Sequence, residues 1–142
     1  MRTRNNFYLL IILLIIPLQS ITAQTDKTGV LVEVTINNKT PQEVKTRFAN
    51  FVKGKLLKLN DVELVKDNED YKINIMMFQN RTKEGESLGY VISTIFLAPS
   101  ECEGYKTYQY LTSLLSTAKE SELDSTAGNI ALSFKENVIK AP

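Results

Sequence analysis

The sequence predicts an α+β fold, a two-layer sandwich in which a mostly antiparallel sheet of four or five strands carries two helices on one face. Several segments alternate apolar and polar residues with a period of two, which is typical of strands with one buried side. Two other segments repeat apolar residues every three or four positions, as amphipathic helices do. These apolar faces are buried together when both helices lie on the same side of the sheet. The expected order is β-α-β-β-β-(β)-α.

The first strand and the first helix have clear patterns. Residues 30–36, VLVEVTI, place valine or isoleucine at every second position. A helix is predicted over residues 41–59. Thr40 can cap its free N–H groups, Pro41 is tolerated at the first helical position, and Glu43 completes a capping box. The apolar residues of this helix are Val44, Phe48, Phe51, Val52, Leu56 and Leu59.

A hairpin is predicted next. Residues 62–65 are typical of a short strand, residues 66–70 of a polar turn and residues 71–79 of the returning strand. After a second polar turn, residues 88–98 form a long strand rich in Tyr, Val, Ile and Phe, and we expect Pro99 to end it.

The last part of the domain contains one ambiguous segment and one helix. Residues 105–115 fit either an edge strand or a loose helix, and their aromatic and β-branched content favours the strand. Residues 121–124, SELD, resemble another capped helix start. The apolar stripe of this second helix is Leu123, Ala127, Ile130, Ala131, Phe134 and Val138.

Residues 1–23 have the three-part layout of a secretory signal. Arg2 and Arg4 lead, residues 7–18 are apolar, and a short polar stretch ends at the small residue Ala23, after which we expect cleavage. The alternative is an uncleaved membrane anchor, although the apolar run is short for a bilayer span. The chain is therefore expected to be exported, and to be periplasmic or secreted if its host is bacterial.

Cleavage would leave a single domain without a stable membrane span. Removal of 23 of the 142 residues leaves 119, enough to enclose one modest core. We expect a short disordered lead at residues 24–28 and an α+β domain at residues 29–140.

Composition excludes several function classes. The chain has no His and no Trp, so Ser-His and Cys-His catalysis and the commonest zinc ligand are absent. Two of the 17 basic residues lie in the signal, leaving 15 against 16 acidic ones, a balance that does not favour nucleic acid. No cofactor is predicted. The one cysteine, Cys102, is either a thiol that pairs with another chain or a partly buried, inert side chain.

The acidic turn before the predicted returning strand contains three carboxylates, Asp67, Glu69 and Asp70. Such a group could in principle hold a calcium ion. Its spacing does not match a dedicated calcium loop, so we expect a solvated turn and no metal site.

The order of elements also resembles that of known envelope proteins. A signal, strand, helix and short strand lead to VELV at residues 62–65 and EDYKI at residues 69–73. This arrangement resembles small sheet-and-helix domains of the bacterial envelope, such as the lipopolysaccharide-assembly lipoprotein LptE and the N-terminal domain of TolB. The resemblance implies a non-catalytic binding or assembly role. The chain lacks the acylated cysteine of the lipoprotein, and the resemblance assigns no individual residue.

The face of the sheet away from the helices is expected to be only partly polar, and it matters most for function. Its apolar residues are expected to be Leu31, Met76, Phe78, Val91, Ile95 and Leu97. Tyrosine combines apolar area with a polar tip and favours binding surfaces. The candidate interaction surface therefore comprises Tyr90, Tyr105, Tyr108, Tyr110, Met76 and Phe78. Alternatively, the tyrosines only cover the edge of the sheet.

We therefore predict an exported, non-enzymatic domain that binds a still unidentified protein or envelope component through this face and residues 105–115. One alternative is a small enzyme with carboxylate acid–base chemistry, which would need Glu33, Glu63 or Glu101 opposite one another in a cleft.

Another alternative is a carrier of a small apolar ligand. It would need a void between the sheet and the helices, where we expect the side chains of Phe48, Phe51 and Phe134 instead.

Overall fold

A computed structural model describes residues 27–37 and 40–141, so the predicted signal at residues 1–23 lies outside the described residues. The strands are β1 Thr28–Ile36, β2 Val62–Leu64, β3 Tyr71–Arg81, β4 Ser87–Cys102 and β5 Tyr105–Ala118. The helices are α1 Gln42–Leu56 and α2 Leu123–Phe134; a short 3-10 turn precedes α2, and a π turn, Lys135–Ile139, follows it. β1 begins one residue before the predicted domain start.

The predicted fold class is confirmed, with a correction to the strand directions. The five strands lie in the order β2-β1-β3-β4-β5. β1 runs parallel to both of its neighbours, β2 and β3, whereas β3 with β4 and β4 with β5 are antiparallel. The sheet is therefore mixed: the long strands β3, β4 and β5 pair antiparallel as predicted, and β1 adds parallel pairing that was not expected.

The predicted hairpin of β2 and β3 is wrong, because β1 lies between them. Residues 65–70, which we name the crossing loop, carry the chain across β1. β2 ends with Leu64 opposite Val30, and β3 begins with Tyr71 opposite the same residue. Because β3 begins at the level where β2 ends, the crossing loop does not have to run back along the length of a strand. Six residues are therefore enough, whereas connections between parallel strands usually need a dozen or more.

Gly29 allows the crossing loop to lie close to β1. Its N–H donates to Asp70 Oδ2 at 2.7 Å, and its carbonyl accepts the Asp70 N–H at 2.9 Å. A Cβ at Gly29 would lie 3.3 Å from Val65 Cγ1, which is a tight contact. Side chains alternate along a strand and Val30 points into the helix-covered core, so the loop crosses on the opposite face.

Helix α1 begins without the predicted capping box. Pro41 is the N-cap residue, and within the described residues the helix start has no side-chain cap hydrogen bond. The Thr40 hydroxyl donates to Asn37 Oδ1 at 2.7 Å and accepts the backbone N–H of Gln79 at 3.0 Å. Thr40 therefore connects the start of α1 to β3, a role that depends on a contact distant in sequence.

Both helices pack on the same face of the sheet, as predicted. All six residues of the predicted α2 stripe are buried, and so are four residues of α1, Val44, Phe48, Val52 and Leu56. The ring of Phe134 lies 5.7 Å from that of Tyr71 and 5.9 Å from that of Phe96, measured between centroids. These aromatic contacts join α2 to the middle of the sheet.

Strand β4 is longer than predicted, because Pro99 does not end it, and it forms a hairpin with β5. Pairing with β3 stops at Leu97, whereas pairing with β5 continues to Cys102 opposite Tyr105. Beyond Leu97 the hairpin is a two-stranded ribbon, formed by residues 98–102 and 105–109. Proline is tolerated at such edges. The strand interpretation of residues 105–115 is confirmed.

Truncation of the Phe134 side chain tests the packing of this core. Phe134 is fully buried, so we expect Phe134→Ala to lower the free energy of unfolding by about 3–5 kcal/mol, measured by urea denaturation. The control is Leu132→Ala on the same helix. Leu132 is mostly exposed, and its truncation should change the stability by no more than about 0.5 kcal/mol. Equal effects of the two substitutions would contradict the packing described.

Candidate functional site

The face of the sheet opposite the helices, which we name the open face, is the candidate site. The strand register aligns its side chains in rows, for example Leu31, Lys72, Leu97 and Tyr110 across four strands. Both described helices pack against the other face. The crossing loop lies over one end, at Gly29.

The open face is only partly polar and carries the apolar side chains that were expected on it. The six expected residues, Leu31, Met76, Phe78, Val91, Ile95 and Leu97, all lie on it by register. Phe78 is 43 % exposed, and β5 adds Tyr110 at 60 % and Leu115 at 72 %. Contiguous exposed apolar patches mark interaction sites more often than single exposed residues do.

A group of charged and polar residues lies at one end of the open face. This Glu69 cluster consists of Glu33, Glu69, Lys72, Lys106 and Tyr108. The side chain of Glu69 is only 1 % exposed. Its carboxylate accepts the Tyr108 hydroxyl at 2.5 Å and the Lys106 ammonium at 3.1 Å. The Lys72 ammonium lies 4.8 Å from the centre of the Tyr108 ring and 2.8 Å from Glu33 Oε2.

The contacts of the cluster fix the protonation states of its two central groups. The hydrogen bond from Tyr108, helped by Lys106, outweighs burial and lowers the pKa of Glu69 to about 2. The same hydrogen bond, together with burial, raises the pKa of Tyr108 to about 12. Near neutral pH the carboxylate is ionised and the phenol is neutral. A proton-transfer catalyst works best with a pKa near the working pH, so this geometry suits a structural link.

The structure brings four of the six candidate surface residues together. Met76, Phe78, Tyr108 and Tyr110 share the open face. Tyr105 lies at the tip of the hairpin opposite Cys102, where both side chains are exposed.

Tyr90 does not belong to the interaction surface. Its side chain is 3 % exposed and lies on the helix-covered face, opposite Ala118. Val91, which follows Tyr90, points to the open face. Because side chains alternate along a strand, the expected position of Val91 already placed Tyr90 on the helix-covered face.

The carboxylates of the enzyme alternative lie at three different places. Glu33 is opposite Asn74, Glu63 is opposite Gly29, and Glu101 is opposite Lys106 near the hairpin tip. Glu33 is ion-paired with Lys72. The register does not place any two of these carboxylates opposite one another.

The solvated-turn interpretation is wrong for Glu69, which is buried against the ribbon. Within the ranges that the structure describes, His, Cys, Asp and Glu side chains do not form a group of three that could hold a metal ion. Glu69 and Lys72 were missed because their partners are distant in the chain: 39 residues separate Glu69 from Tyr108. Among the same residues, no helix has the length and apolar character to cross a membrane.

Comparison with known proteins adds three distant structural likenesses. No family model and no curated protein matches the chain. The PelC dodecamer from Paraburkholderia phytofirmans is 15 % identical, with a TM-score of 0.45 over 78 % of this chain and 86 % of that one. Hypothetical protein CT253 from Chlamydia trachomatis is 13 % identical, with a TM-score of 0.44 over 80 % and 95 %.

The third likeness is a putative neuraminyllactose-binding hemagglutinin homolog from Helicobacter pylori. It is 11 % identical, with a TM-score of 0.38 over 81 % of this chain and 84 % of that one. The resemblance to LptE and TolB stays a prediction.

Neutralisation of Glu69 tests the link between the crossing loop and the ribbon. At pH 7 we expect Glu69→Gln to lower the free energy of unfolding by about 1.5–3 kcal/mol, because a buried charge-assisted hydrogen bond is lost. The folded-state pKa of about 2 is below the ordinary 4.5, so the stabilisation is complete above pH 4.5 and is lost as the pH falls toward 2.

Urea denaturation of both proteins at several pH values measures this difference, which should shrink in acid. Absorbance titration should show a lower pKa for Tyr108 in the variant. Glu101→Gln, at an exposed position, is the control. A stability difference that is independent of pH would contradict the assignment.

Proposed function

We propose that this chain is an exported, non-enzymatic domain that binds a partner protein of the cell envelope through its open face. The observation that carries the proposal is the one-sided arrangement of the fold. The helices are both on one face, so partly exposed apolar side chains remain across the other. Export rests on the signal predicted at residues 1–23.

The composition of the open face favours a protein partner. Aromatic residues and methionine are enriched in the cores of protein interfaces, and charged residues are depleted there. The half of the open face that lies away from the Glu69 cluster follows this pattern, with Met76 and Phe78 on β3 next to Val91 on β4. The charged side chains of the Glu69 cluster lie toward one end, where the rim of an interface would be.

The Glu69 cluster prepares the ribbon for binding. Lys106 and Tyr108 belong to the ribbon and are both bonded to Glu69 in the crossing loop. The adjoining residue Tyr110 is thereby held in place on the open face. A partner would not have to order this strand, and preorganisation of that kind reduces the entropic cost of association.

A charge among the apolar residues of the open face tests the proposal. We expect Phe78→Lys to weaken the complex by at least about tenfold, since anchor residues of interfaces cost more than 1 kcal/mol when lost. Leu57→Lys is the matched control, because Leu57 is 58 % exposed and follows α1 on the other layer.

The measurement is photo-crosslinking in the native host, with a benzophenone amino acid at position 78 or at position 57. A partner adduct should form at 78 and not at 57, and Phe78→Lys should abolish co-purification of that partner. Equal adducts at both positions, or a complex that survives Phe78→Lys in a folded variant, would overturn the proposal.

Processing of the N-terminus is a separate test of export. N-terminal sequencing of the protein isolated from the native host should begin at Gln24, because cleavage is expected after Ala23. An intact Met1 on material from the cytosol would contradict export and would leave the binding test unaffected.

A further inference from the structure

β5 is a free edge of the sheet, and its composition is unusual for one. β4 pairs with one side of β5, and no described strand pairs with the other. Residues 107–118, TYQYLTSLLSTA, contain no charged residue and no proline. Natural edge strands usually carry lysine, proline or a bulge that prevents pairing with another chain. We name residues 112–118 the edge segment.

The protective features of β5 lie outside the edge segment. Lys106 is in the ribbon, where Glu69 holds it. A bulge occurs at Leu111, because Phe96 is opposite Thr112 whereas Leu97 is opposite Tyr110. Only the edge segment combines a regular backbone, support from β4 and a complete lack of charge.

We infer that a second copy of this chain pairs antiparallel with the edge segment, around a two-fold axis at Leu115. The occupant is argued from the three side chains that the segment presents on the open face, because Ser113 and Thr117 are both hydroxyl residues at equal distance from Leu115. Ser113 of one copy would lie opposite Thr117 of the other, and Leu115 would meet its own equivalent. On the helix-covered face, Leu114 would lie opposite Ser116 of the other copy. Hydroxyl pairs and aliphatic pairs are favourable across antiparallel strands, and no like charges meet.

The geometry of such a pair is self-consistent. A two-fold axis perpendicular to the sheet makes the two edge segments antiparallel and keeps all four helices on one side. The two open faces then adjoin on the other side. The contact is isologous, so it closes at two chains. This contact between the two copies depends on the backbone edge of β5, and it is independent of whether the open face binds another protein.

Sedimentation velocity of the purified protein, expressed from the full chain, tests this pairing. We expect a dimer at micromolar concentration and at least about tenfold weaker association for Leu115→Lys, which places two like charges at the axis. Leu115 is 72 % exposed, so the variant should keep its fold, as checked by circular dichroism. Leu57→Lys and Phe78→Lys are controls that should leave the dimer unchanged.

Disulfide trapping tests the register independently of any charge. Directly opposite residues of antiparallel strands have Cα atoms about 4.5–5.5 Å apart, within the range of a disulfide. In a Cys102→Ser background, we expect Leu115→Cys to form a covalent dimer on mild oxidation. Thr107→Cys, on the ribbon of the same strand, should not do so.

Three results would overturn the inference. The first is a protein that remains monomeric at all concentrations. The second is a dimer that a folded Leu115→Lys variant leaves intact, since another surface would then be responsible. The third is trapping at position 107 that is as fast as trapping at position 115. Failure of the Phe78 crosslink with an intact dimer would instead count against the proposed function alone.

Discussion

Burial of α1 and α2 against a single side of the sheet is the constraint on which the rest of the molecule depends. The apolar faces of both helices join the strand residues in one core cluster, in which the rings of Phe134 and Phe96 are in contact. Every second residue of each strand is thereby assigned to the core, and its neighbours are assigned to the open face. What the molecule can present to a partner follows from this division.

The Glu69 cluster connects two parts that the helices do not reach. The crossing loop and the ribbon both lie outside the helix-covered core, and the buried carboxylate of Glu69 joins them. Removal of both Tyr108 and Lys106 would leave the buried carboxylate without these side-chain partners, which is far costlier than loss of a surface ion pair. The cluster thus gives the ribbon a fixed position without an apolar core of its own.

Local patterns in the sequence were sufficient for the parts of the fold that depend on periodicity. The α2 stripe and the six apolar residues of the open face could be predicted because alternation and helical spacing are properties of neighbouring residues. Strand pairing is not local. A short strand, a polar turn and a second strand look the same whether they form a hairpin or cross over β1. The two are distinguished by contacts that are distant in sequence, namely the pairing of β1 with both strands and the contact of Gly29 with residues 65–70.

The crossing loop also determines which part of β1 is left at the edge of the sheet opposite β5. β2 pairs only with residues 28–30 of β1, so the outer backbone of residues 31–36 has no β2 partner in the described chain. Glu33 is in that stretch and is ionically bound to Lys72. Carboxylates discourage the addition of strands at such a margin. One edge of the sheet is therefore short and has a carboxylate beside it, whereas the other is long and uncharged over residues 107–118. If chains pair through the uncharged edge, as inferred above, the carboxylate edge would disfavour the addition of a third chain.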